Sequence, residues 1–158
     1  MGAKKKNELD GPVYLFHQGS NARSYEVLGA HITKVGRVSG VVFRVWAPNA
    51  AAVAVCGGWN DWSACADPME KVSDGGVWER FVPNVGAGEL YKFAVTTKKF
   101  SVLLKADPYA FHNETRPATA SIVYSPEYTW NDCAWMAARR ETDMRARPLN
   151  IYEGHLGA

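Results

Sequence analysis

The sequence predicts an all-β protein folded as an antiparallel sandwich or barrel. Short runs rich in β-branched and aromatic residues recur along the chain, and turn residues separate them at fairly regular spacing. Helical periodicity is poor throughout; the one candidate exception, residues 133–142 with Asp132 in a capping position, is short and not cleanly periodic.

Residues 1–12 are polar and punctuated by Gly11 and Pro12, and read as a mobile lead-in. Val13-Tyr14-Leu15-Phe16 is an apolar knot, Gly19-Ser20-Asn21 a turn, and residues 28–35 a first strand. Val41-Val42-Phe43-Arg44-Val45-Trp46-Ala47 is a clear strand, ended by Pro48-Asn49. Residues 53–56 and 77–82 follow, closed by Gly57-Gly58 and Pro83-Asn84. Residues 89–96 alternate, so Tyr91 and Phe93 share one face and Lys92 takes the other. Residues 101–105 and 121–124 are weaker strands. The expected division is a lead-in over 1–38, a sandwich over 39–126, a linker over 127–148 and a new strand over 149–158.

At 158 residues one domain is the default, with a core large enough to need no disulfides. A net charge of +2 argues against nucleic acid or an anionic membrane as partner. Cys56, Cys65 and Cys133 have no metal-ligand spacing and an odd count, which fits free thiols in a reducing cytoplasm. No stretch is long and apolar enough to span a bilayer, and no apolar segment follows the N-terminal lysines, so no signal peptide is expected. No nucleophile elbow, phosphate loop, metalloprotease motif or paired carboxylates are visible. No catalytic residues, metal ligands or cofactors are therefore expected.

The best local candidate for chemistry is Gly58-Trp59-Asn60-Asp61-Trp62, a loop leaving a strand. An indole half-exposed on a loop suits the C–H face of a pyranose, while neighbouring Asn, Asp or Lys groups bond its hydroxyls. Two readings stand side by side: one Trp is a sugar platform, or both are core residues that hold the loop down. Lys92 is either a donor to the same ligand or an ordinary surface lysine. Trp46 and Trp78 lie in strand interiors and are read as packing residues.

Several segments in order resemble the N-terminal region of bacterial glycogen branching enzymes. Tyr14-Leu15-Phe16-His17-Gln18-Gly19 and Tyr25-Glu26-Val27-Leu28-Gly29-Ala30-His31 are similar to their leader. Val42 to Ala50, Gly58-Trp59-Asn60-Asp61-Trp62, Leu90-Tyr91-Lys92-Phe93, Lys105 to Phe111 and Arg116 to Ser121 resemble a family-48 carbohydrate-binding module. Asn150-Ile151-Tyr152-Glu153-Gly154-His155-Leu156-Gly157 is similar to the first strand of a family-13 catalytic barrel, with Gly154 and Ala158 where that family usually has Val and Ser.

The resemblance implies an immunoglobulin-like sandwich ahead of a (β/α)8 barrel, and a parent that makes α-1,6 branches in glycogen. The retaining reaction of such a parent uses an Asp nucleophile and a Glu acid/base about 5–5.5 Å apart. Those residues lie on later strands of a barrel of about 250 residues, so this chain alone is expected to be inactive. The expected partners are α-1,4-glucan and the catalytic barrel, with self-association through residues 149–156 where that barrel is missing. The implied glucan contacts are Trp62, Lys92 and Thr119, with Trp59 and Asn60 of the same loop. The Asn that follows the Thr in relatives falls on Ser121, and Phe100 is the aromatic nearest to their second platform. The alternatives are a module that only packs, or the equivalent domain of a debranching or trehalose-forming relative.

Overall fold

The computed structural model describes residues 9–126, 128–155 and 157. They fall into two units that meet between Ser125 and Pro126. The first is an immunoglobulin-like sandwich of two antiparallel sheets. One sheet has the order β1 (Gly29–Val35), β2 (Val38–Trp46), β5 (Val77–Pro83), β4 (Glu70–Lys71). The other runs β3 (Ala52–Gly57), β6 (Leu90–Thr96), β9 (Ser121–Ile122), β8 (His112–Asn113), and β7 (Val102–Lys105) pairs with the far part of β6.

Alternation along the strands builds the space between the sheets. Val41, Phe43 and Val45 of β2 meet Val53 and Val55 of β3 and Tyr91 and Phe93 of β6 in one buried cluster. Phe43 is its centre: it is fully buried, lies edge-on to Tyr91 at 5.0 Å and stacks on Trp59 at 5.6 Å. Trp78 joins the same cluster and donates its indole N–H to the carbonyl of Ala47 at 3.0 Å.

The seven strands expected between residues 28 and 124 all form, with bounds shifted by up to three residues. The lead-in differs from expectation, because it holds a helix, α1 (Asp10–His17). Four consecutive apolar residues conceal its real stripe, Leu9, Val13 and Phe16, spaced four and three apart. Pro12 lies in the first turn, where its missing N–H costs nothing. Leu9, Val13 and Phe16 pack with Leu28 and Val77 against the outer side of β5. Leu9 to Pro12, expected to be mobile, are thus ordered; residues 1–8 of that expectation lie outside the described residues. The strand at 29–35, expected within the lead-in, is an integral edge of the first sheet. The two-residue strands β4 and β8 are too short to leave a periodic signal.

The turn before β5 is built on close approach. Gly76 has φ +91°, and a Cβ there would lie 2.3 Å from Cα of Pro48. Its carbonyl accepts from the N–H of Ala47 at 2.8 Å. Trp46, 49% exposed at the end of β2, still packs: its ring meets Phe16 edge-on and its N–H donates to the carbonyl of Gly75.

Beneath β6 and β9 lies a buried polar network. The Tyr91 hydroxyl donates to Asp107 Oδ2 at 2.6 Å, and Asp107 Oδ1 accepts from the N–H of Tyr109. Ser121 Oγ accepts from the N–H of Asp107 and donates to Asn113 Oδ1. Burial pushes the Asp107 carboxyl above the usual carboxylate range, although the bonds from Tyr91 and Tyr109 and the nearby His31 pull it partway back. Burial, followed by the charge of Asp107 and the hydrogen bond to it, holds the Tyr91 phenol far up, so it remains a donor.

The second unit carries α2 (Cys133–Glu141), within the stretch where the sequence allowed a helix. Asp132 occupies the N-cap position but its side chain makes no capping bond. The Arg139 guanidinium lies 5.4 Å from the centre of the Trp135 ring, one turn earlier. The strand expected from residue 149 does not form: residues 149–155 have no regular structure and are exposed, while Leu156 and Ala158 lie outside the described residues.

Gly76→Ala should destabilise the chain by about 2–4 kcal/mol, combining left-handed strain with overpacking against Pro48. Urea denaturation reads this directly, and an unchanged midpoint would refute the close-approach argument. Asp107 has a raised folded pKa, so its contribution is fully present below its unfolded value and fades as pH rises through the folded one. The stability of the wild type relative to Asp107→Asn should therefore be most favourable in acid and decline toward neutrality. A relative stability that climbs with pH would contradict the assigned direction.

Candidate functional site

The aromatic loop after β3 is held by its own polar groups. The N–H of Gly57 donates to Asn60 Oδ1 at 3.0 Å, and Asn60 Nδ2 donates to the carbonyl of Val55 and to Asp67 Oδ2. Asp67 Oδ2 also accepts from the Trp59 indole N–H at 3.0 Å, and Oδ1 faces the Arg80 guanidinium at 3.3 Å. Burial pushes the Asp67 carboxyl up, but the bonds from Trp59, Asn60 and Arg80, with the charge of Arg80, outweigh it and hold the group below its ordinary value.

These bonds separate the two indoles. Trp59 turns inward, stacked on Phe43 with its N–H engaged. Asp61 and Trp62 then both adopt left-handed backbone, φ 52° and 57°, and the N–H of Trp62 closes the loop on the carbonyl of Gly57 at 2.9 Å. A bulky residue in that region is a genuine outlier, and such strain concentrates at functional sites. Trp62 is left 39% exposed. Gly57 is essential to the arrangement, since a Cβ there would sit 2.4 Å from the carbonyl of Leu90 and 2.2 Å from the Trp59 ring.

The register brings Lys92 to the same end of the sheet. Lys92 pairs with Cys56, one residue from the Gly57 that anchors Trp62. Its ammonium donates to Thr119 Oγ1 at 2.7 Å. Thr119 lies on the loop between β8 and β9, and Glu114 clamps that loop: its N–H donates to the Ala120 carbonyl while its carboxylate accepts from the Ala120 N–H at 2.8 Å. Cys56 is buried beside Ala54 and Ala94 under Ala64, and burial raises its thiol above the ordinary value. It is a packing residue, not a nucleophile.

Of the residues singled out from the sequence, the geometry brings Lys92 and Thr119 into direct contact and leaves Trp62 open on the adjacent loop. Trp59 and Asn60 turn inward: the indole N–H and both polar atoms of the Asn60 amide hydrogen-bond around the loop. Ser121 is fully buried in the Asp107 network, so it faces away from a surface ligand. Phe100 is 85% exposed on the β6–β7 hairpin, beyond the Thr96 end of β6 and away from Lys92. The partners of Asp67 and Glu114 were not foreseeable from the sequence. Asp67, seven residues beyond Asn60, carries no local motif, and Glu114 sits in a loop without periodicity.

Residues 27–110, more than half of the chain, match the model of "Carbohydrate-binding module 48 (Isoamylase N-terminal domain)". The chain is 47% identical over 155 residues to the 1,4-alpha-glucan branching enzyme GlgB of Corynebacterium glutamicum, covering 96% of this chain and 21% of that protein. It is 47% identical over 156 residues to GlgB of Halothermothrix orenii, covering 98% of this chain and 25% of that one. It thus spans about a fifth to a quarter of the length of these curated relatives. Among solved structures, the maltotriose complex of PulA from Klebsiella pneumoniae is 31% identical, covers 66% of this chain and 12% of that one, and superposes with a TM-score of 0.50. The aromatic loop, the strand that bears Lys92 and most of the sandwich fall inside the matched stretch. The chain belongs to the carbohydrate-binding module 48 family.

Proposed function

We propose that this chain is the α-glucan-binding module of a cytoplasmic 1,4-α-glucan branching enzyme of glycogen synthesis, holding polymer for a catalytic barrel that makes α-1,6 branches. The observation that carries the reading is the Lys92–Thr119 pair beside an outward Trp62. Trp62 supplies a flat apolar face for one pyranose ring. The Lys92 ammonium has three donors and spends one on Thr119, which leaves two for sugar hydroxyls. The strained, hydrogen-bonded backbone fixes the indole before ligand arrives, which lowers the ordering cost of binding.

The reading is of binding rather than bond cleavage. Asp67, Glu79, Asp107 and Glu114 are engaged with Arg80, Arg44, Tyr91 and a backbone N–H respectively, as structural acceptors. In this reading residues 39–126 are the module, joined by the packed lead-in from Leu9, and 127–148 are a linker. Residues 149–158, irregular here over 149–155, are the stretch that would open the barrel in the whole enzyme.

Calorimetric titration of the chain with maltoheptaose tests the site. Trp62→Ala should weaken binding tenfold or more, about 1.4 kcal/mol, and Lys92→Met should weaken it without unfolding the sandwich. Equal isotherms for wild type and both variants would leave Trp62 and Lys92 outside any glucan site. The exposed Leu149, Ile151 and Tyr152 give a second expectation. The isolated chain should show a concentration-dependent mass in sedimentation, and Ile151→Ser with Tyr152→Ser should abolish it. A monomer at all concentrations would remove self-association from the reading.

A further inference from the structure

At the other end of the sandwich, partly buried residues at the margin of the main core line a depression. Ala47 and Ala50 of the β2–β3 turn and Val95 of β6 pack on the core with one side and line a cavity of about 500 Å³ with the other. The rim is polar: Asn49 on one side, and on the other the hairpin that carries Lys98 and Lys99. No carboxylate lines the cavity, and no ion pair among the described residues involves either lysine.

The hairpin is fixed rather than free. Thr97 Oγ1 accepts from the N–H groups of Lys99 and Ser101 at 3.3 Å and pairs with Ser101 Oγ at 2.8 Å. The N–H of Phe100 closes the turn on the Thr97 carbonyl. The backbone that bears the exposed Lys98 and Lys99 is therefore set at the mouth of an apolar-floored cavity, with hydroxyl and amide groups beside it. Ala51 and Ala52 bond and pair with Thr96 at this end, whereas Cys56 pairs with Lys92 at the other. At about 3.3 Å per residue the two sites are separated by about 13 Å along the strands.

We propose that this cavity binds a hexose phosphate. The alanines and Val95 leave room for a sugar ring, Asn49 and Ser101 meet its hydroxyls, and Lys98 and Lys99 neutralise the phosphate. A neutral glucan would use the lysines only as hydroxyl donors and leave their charges uncompensated, and a bare anion would gain nothing from the apolar floor. The site is distinct from the Trp62 face and does not depend on the glucan reading.

Amide chemical shifts of the full chain, followed during titration with glucose 6-phosphate, glucose and inorganic phosphate, test the proposal. Glucose 6-phosphate should move the amides of residues 49–51 and 97–101. Glucose and inorganic phosphate should each bind at least tenfold more weakly. Lys98→Ala with Lys99→Ala should weaken the response to glucose 6-phosphate at least tenfold while leaving the maltoheptaose titration unchanged. Ala50→Leu, which fills the cavity and keeps both charges, should do the same. Equal binding of glucose, equal binding of inorganic phosphate, or shifts confined to other amides would each overturn the assignment. Loss of maltoheptaose binding alone bears on the Trp62 site and leaves this one standing.

Discussion

Much of the sandwich depends on the carboxylate of Asp67. Its side chain is 14% exposed, and it gathers the Trp59 indole, the Asn60 amide and the Arg80 guanidinium at one point. Residues 67–69 lie along the free edge of β3, with Asp67 bonded to Val55, Pro68 bridged to Ala54 and Met69 bonded to Val53. The next two residues form β4 and pair with β5 in the opposite sheet. One short segment thus covers an edge of each sheet, which leaves fewer unpaired backbone groups to recruit another chain. Arg80 reaches Asp67 from β5, so the carboxylate also links the sheets through side chains. A partly buried ion of this kind is stable only when its oxygens are filled, and both are.

The same constraint sets the direction of the loop that precedes it. With Trp59 and Asn60 drawn inward, the chain must reverse within two residues to return to Gly57. Asp61 and Trp62 make that reversal in the left-handed region, and the reversal turns the second indole outward. The two tryptophans of one motif therefore have opposite fates for a backbone reason. Neither the residue types nor their spacing contains that information. The strain at Trp62 is balanced by the bond to Gly57 and by the fit of Gly57 against Leu90 and Trp59.

Most of the β-strands were legible because they gather β-branched and aromatic residues between turn residues, and β6 alternates as well. The Lys92 face was legible for the same reason: Tyr91 and Phe93 must be buried, so Lys92 cannot be. The helix at Asp10–His17 was not, since its stripe is narrow and one of its members, Leu9, lies outside the apolar knot. The burial of Ser121 was not legible, because β9 is only two residues long, too short for alternation to reveal which side chain enters the interior. Its burial follows from Asp107 and Asn113, partners 14 and 8 residues away. The roles of Asp67 and Glu114 are likewise set by contacts across loops, which no local pattern encodes.

Lys92 and Thr119 owe their meeting to that hidden interior. Neither side chain is rigid alone, and an exposed lysine loses considerable rotamer freedom when it is held in one geometry. Immediately beside them, Tyr91 and Ser121 are locked from below, Tyr91 directly to Asp107 and Ser121 through the Asp107 N–H. Their strands pair Tyr91 with Ser121, so fixing one fixes the other. Glu114 then constrains the approach to β9 at Ala120, one residue from Thr119. The outward pair is thus mounted on a polar clamp whose central members, Tyr91, Asp107 and Ser121, are buried. A hydrogen bond between exposed groups adds little stability, but one borne on two locked strands keeps its donors aimed. The interior network accordingly serves recognition by fixing position, while the apolar core supplies most of the folding energy.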